Sequence, residues 1–134
     1  MLRLAAATAA AAVLAVLLNL LVLMTAIGPL GADLLVEIPG TAEAVPLPAA
    51  NVAALSIGSV ALGGVTVALL NRLVANARRV FVVLAVLLVA VSMAPLADPG
   101  LTGLDIAVLA FMHVLTGVIA IALLAPLART SRAD

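Results

Sequence analysis

The sequence predicts an all-α integral membrane protein, a four-helix bundle with antiparallel up-down topology. Three observations carry that prediction. Of 134 residues, 67% are hydrophobic and 9% charged, against roughly 45–50% and about 25% in soluble domains. The apolar residues fall into four long, nearly uncharged runs. The arginines collect at alternate ends of those runs. A water-soluble domain of this size could not hide so much apolar surface, so lipid is the expected solvent.

The first span is expected over residues 4–27, about 24 residues without a charge, enough to cross a hydrocarbon core of roughly 30 Å. Arg3 followed by an alanine-rich run also resembles a secretory leader. The apolar part of a leader is usually about 7–15 residues, however, so a retained span is the better reading. Gly28-Pro29-Leu30-Gly31 breaks the helix. Residues 28–51 then form the longest loop, with Asp33, Glu37 and Glu43 among proline and glycine breakers. No strand is expected in the chain.

Asn51 is positioned to cap the second span, residues 52–70. That span carries the small-residue pairs Ser59/Gly63 and Gly64/Ala68, which allow close helix approach in lipid. The third span is expected over 80–96, ending near Pro95. Asp105 opens the fourth, residues 106–127. All of this forms one membrane domain.

Sidedness follows from the arginines, since the chain has no lysine. Arg3, then Arg72, Arg78 and Arg79, then Arg129 and Arg132 flank alternate span ends. The positive-inside rule places all of them, and both termini, on the cytoplasmic side of a plasma membrane. Five of the six acids then fall outside, with only Asp134 inside. Tryptophan and tyrosine are absent and Phe81 and Phe111 are the only aromatics, so no aromatic belt marks the interfaces.

A rise of about 1.5 Å per residue converts sequence position into depth. On that scale Asn19, Ser56, Ser59, Ser92 and His113 all fall in the outer half of the membrane, one or more from each span. His113 and Thr116 are three apart and share a helix face. Polar side chains within a span turn toward the bundle interior or a wet cavity and find partners. A neighbourhood of Asn19 and His113, with hydroxyls around it, is therefore the candidate ligand-binding site. The competing role for these residues, and the commoner one, is interhelical hydrogen-bond glue.

Several chemistries are disfavoured. Without cysteine there is no disulfide, thiolate metal site or cysteine nucleophile. One histidine without an accompanying carboxylate makes a poor metal site, and no cofactor or metal is expected. Zero net charge gives no electrostatic case for a nucleic-acid partner. No catalytic residue is assigned, and the chain is expected not to be an enzyme.

Asn19 late in the first span, Ser92-Met93-Ala94-Pro95-Leu96 ending the third, Phe111-Met112-His113 in the fourth and a short arginine-bearing tail form a recurring combination. Through it the chain resembles a family of small four-helix bacterial membrane proteins known as domain of unknown function 6069. The resemblance spans essentially the whole chain. It implies a four-span membrane protein and supplies no activity, cofactor or catalytic residue. The expected function is a non-enzymatic interaction or accessory role. Its partners are the lipid bilayer and either copies of itself or another membrane protein. The alternative is a transporter or small-ligand-binding protein using the polar cluster around Asn19 and His113.

Overall fold

The computed structural model describes residues 1–37, 44–97 and 100–130. Four helices dominate: α1 (Leu2–Ile27), α2 (Ala49–Leu73), α3 (Ala77–Ser92) and α4 (Gly103–Leu124). A 3₁₀ turn follows α3 at Ala94–Ala97, and another follows α4 at Ala125–Leu127. With those turns counted, all four helical segments are long and apolar enough to cross a membrane.

One expectation is corrected in the long loop. Leu35–Glu37 (β1) and Ala44–Pro46 (β2) pair antiparallel, with Val36 opposite Val45. The alternation of apolar residues with chain-breakers there reads as irregular loop. The short ladder forms because it satisfies backbone groups that would otherwise lie unpaired at the bundle mouth. Gly31 at φ +66° turns the chain into this segment, and Leu34 takes φ +45°. A left-handed conformation is uncommon for a bulky residue. Leu34 is held in it by complete burial of its side chain and by Leu47 N–H donating to its carbonyl at 2.9 Å.

Helix boundaries differ from the periodicity-based limits for identifiable reasons. α2 starts at Ala49 with Pro48 as the flanking residue, so Asn51 lies inside the helix and caps nothing. Pro48 keeps an extended ψ of 136°, and the helix begins at the residue after it. α3 begins at Ala77 because the Asn76 side chain accepts from Arg79 N–H. α4 begins at Gly103 behind a capping box, with Thr102 and Asp105 each bonding the other's backbone.

The core is built mostly from small and β-branched residues, with a few larger ones such as Leu23, Phe81 and Leu124, in three tiers. Ala11 and Ala15 of α1 meet Val60 and Ile119 in the middle. Toward the hairpin, Leu23, Ala26 and Leu34 pack with Val52, Val108 and Met112. At the other end, Val67, Ala77, Phe81, Leu124 and Ala128 pack together. Large apolar side chains such as Leu17, Leu21, Leu62, Leu87 and Val118 point outward. This arrangement suits lipid, where helices gain little from hiding leucine and associate by close packing of small residues.

α1 and α2 come close together where Gly64 faces Thr8. A Cβ on Gly64 would run into the Oγ1 and Cγ2 of Thr8, whose hydroxyl is held by the Leu4 carbonyl at 2.8 Å. The rigid β-branched side chain cannot swing away without losing that bond. Gly117 makes a similar close contact with Val89 of α3. Gly64→Val is expected to destabilise the bundle by about 1–3 kcal/mol through overpacking. Adding Thr8→Ala should recover part of that loss, as read from unfolding midpoints in mixed micelles.

Candidate functional site

Each helix of the inner trio lends one polar side chain to a common level. Asn19 lies on the stripe Ala11, Ala15, Asn19, Leu23 that α1 buries at four-residue spacing. Ser56 lies on the matching stripe Val52, Ser56, Val60, Gly64 of α2. Thr116 stands four residues beyond buried Met112 on α4. The Asn19 side chain meets the other two directly.

Asn19, only 3% exposed, is the hub. Its amide nitrogen donates to Ser56 Oγ at 2.9 Å and to Thr116 Oγ1 at 2.8 Å. Thr116 passes its own proton to the Met112 carbonyl at 3.0 Å, which fixes its oxygen as an acceptor for the amide. Three helices are thereby joined through one side chain. The Asn19 carbonyl oxygen is fully enclosed and has no hydrogen-bond partner among the described residues. A buried acceptor in that state costs about 1–3 kcal/mol.

The other sequence candidates lie apart from this hub. His113 is half-buried, and its Nδ1 lies 2.7 Å from the Leu109 carbonyl one turn back. A carbonyl only accepts, so Nδ1 carries the proton. No hydrogen bond links His113 to Asn19. Ser59 is exposed on α2, and Ser92 donates to the Val89 carbonyl of its own helix at 2.7 Å. Sequence depth grouped Asn19, Ser56, Ser59, Ser92 and His113, and Thr116 joined them by sharing a helix face with His113. The structure brings together Asn19, Ser56 and Thr116, because only those three lie on buried stripes. Among the described residues no group of three or more histidine, cysteine or acidic side chains is placed to hold a metal ion.

Two polar anchors at the bundle ends were not singled out by spacing or depth. Asp105 is 3% exposed. Its Oδ2 accepts from Thr102 N–H at 3.1 Å and Thr102 Oγ1 at 2.7 Å, and its Oδ1 accepts from Leu34 N–H at 3.2 Å. It thus ties the start of α4 to the left-handed residue before β1. The Thr102-x-x-Asp105 spacing was the available signal. At the opposite end, Asn71 donates to the Leu127 carbonyl at 3.1 Å and accepts from Arg129 N–H at 2.7 Å. Arg78 N–H reaches the Arg129 carbonyl at 3.0 Å.

These contacts gather Arg3, Arg72, Arg78, Arg79 and Arg129 at the end of the bundle away from the hairpin. Arg132 and Asp134 lie outside the described residues, as do Glu43 and Asp98.

Double-mutant cycles separate hub from bystander. Asn19→Ala with Thr116→Val should show a coupling of about 0.6 kcal/mol or more, the scale of hydrogen bonds between membrane helices. Asn19→Ala with His113→Phe should be additive when unfolding is titrated with SDS.

A family model described as a family of unknown function (DUF6069) matches residues 1–130. No curated protein and no solved structure shows a significant match.

Proposed function

The chain belongs to the DUF6069 family, and we propose that it is a non-enzymatic accessory protein that works by lateral association within the membrane. One observation carries this reading, the state of α3. Only Ala77 and Phe81 of that helix are buried, whereas Val83, Leu84, Val86, Leu87, Leu88 and Val91 are exposed. A helix that contributes so little to its own bundle is free to pack against a neighbour. The inner trio supports the same reading, since its hydroxyls and amide protons are engaged in holding α1, α2 and α4 together.

In this proposal the four spans run up and down alternately, with both termini on the cytoplasmic side of the cell membrane. Support for the alternation comes from the pairing order. Thr8 meets Gly64, Asn19 meets Ser56, and Leu23 shares a cluster with Val52. Support for the sidedness comes from the arginines gathered at one end.

The absence of native cysteine makes the test direct. Val86→Cys or Val91→Cys in intact membranes should give a discrete crosslinked species, either a homodimer or one stoichiometric partner. Leu17→Cys on the exposed face of α1 should not. A lone monomer from both α3 positions, and in several mild detergents, would overturn the reading.

The enclosed carbonyl of Asn19 favours a second reading, a small-ligand or transport site in the same half of the bundle. A ligand with an N–H or O–H group would satisfy that oxygen, with His113 about one turn from Thr116 on the same helix. His113→Ala should then alter solute flux in proteoliposomes while leaving the Asn19 hub intact. Unchanged flux in that variant removes this alternative.

A further inference from the structure

A cleft of about 390 Å³ opens between the first turn of α1 and the last turn of α2. Arg3 comes from one helix and Arg72 from the other, so two arginines border the same space. Neither makes an ion pair or side-chain hydrogen bond among the described residues. Asp33, Glu37 and Asp105 all belong to the hairpin end of the bundle. Two like charges facing one cleft at the edge of a low-dielectric bundle repel each other unless an anion lies between them.

The remaining walls define what kind of anion fits. Leu4, Ala68 and Leu127 line the cleft and lead from the arginines toward the apolar body of the helices. Asn71 also borders it, but its amide is engaged with the Leu127 carbonyl and Arg129 N–H. The back wall is thus fixed in place rather than available for binding. A free phosphate would use the arginines and leave the apolar walls in water. A phospholipid would use both, with its phosphate on the guanidiniums and an acyl chain along Leu4 and Ala68. Arginine forks match phosphate oxygens bidentately. The volume falls in the range of small-molecule sites, about 300–1,000 Å³.

We propose that the Arg3–Arg72 cleft is a binding site for the phosphate-bearing headgroup of an anionic phospholipid. The second arginine-lined cleft, about 320 Å³ beside Arg78, Arg79 and Val82, differs in that its lining comes from the start of α3 and the residue before it. It has no opposing helix to complete a clamp, and serves as the internal control.

The test uses the full-length protein purified in mild detergent and offered phosphatidylglycerol or phosphatidylcholine, with bound lipid counted by native mass spectrometry. The wild-type chain should retain phosphatidylglycerol preferentially. Arg3→Gln with Arg72→Gln should weaken that retention by about thirty-fold, at roughly fivefold for each basic residue facing an anionic lipid. Arg78→Gln with Arg79→Gln should leave most of the preference intact. Equal retention of the two lipids by the wild-type chain overturns the proposal and requires no variant to fold. So does a preference that survives loss of Arg3 and Arg72. Complete displacement of the lipid by millimolar inorganic phosphate, with equal stabilisation by phosphate alone, would reassign the cleft to free anions and overturn the lipid assignment.

Discussion

The approach of α1 to α2 where Thr8 faces Gly64 is the contact on which the rest of the bundle depends. In lipid, burying a leucine between helices gains little over leaving it among acyl chains, so association rests on dispersion between closely placed backbones and on interhelical hydrogen bonds. Missing side-chain atoms at Gly64, Ala11 and Ala15 allow that closeness. Closeness in turn sets the register that lets the Asn19 amide reach Ser56 and Thr116 at ordinary hydrogen-bond distances. The polar hub follows from the packing. Once formed it opposes sliding of α1 along its neighbours, because a shift of one turn would strand a buried amide.

The two ends of the bundle are closed by a shared device, a side chain that binds backbone from a distant element. Asp105 holds the N–H of Leu34 while capping its own helix. Asn71 holds both a carbonyl and an N–H of the segment after α4. Helix ends leave backbone groups unpaired. Near a membrane interface such groups are costly unless a neighbouring element supplies partners. The hairpin serves the same need, and it brings Leu34 into the upper core beside Leu23 and Met112. The unfavourable φ of Leu34 is offset by that burial together with the two hydrogen bonds to its backbone.

Against this well-tied trio, α3 is lightly held. Its inward stripe begins with Ala77 and Phe81, and Gly117 of α4 admits Val89 further along. Most of its remaining side chains face outward. The bundle therefore joins α1, α2 and α4 through the Asn19 side chain, beside a fourth helix whose side chains are mostly exposed. That asymmetry gives the association reading its physical basis. The arginine end, by contrast, gathers five arginines and, among the described residues, no acidic side chain, which suits the headgroup layer better than another apolar helix.

Composition and run length by themselves determined that this is a membrane protein with four apolar helices, because the cost of exposing that much hydrocarbon to water admits no other solvent. The short motifs around Asn19, Pro95 and His113 carried the family resemblance, which the match over residues 1–130 bears out. Depth along each helix selected Asn19 and Ser56, but with them Ser59, Ser92 and His113, and Thr116 entered only as the face-mate of His113. Depth counts residues along an axis and says nothing of rotation about it. Rotation was decided by tertiary structure, through the Thr8–Gly64 approach and the alanine stripe that turned Asn19 inward. The Leu34–Asp105 tie and the Arg3–Arg72 cleft were likewise invisible in one dimension, since each joins residues tens of positions apart, and the hairpin was hidden by the chain-breakers around its short strands. Only the folded chain places their charges, donors and acceptors face to face.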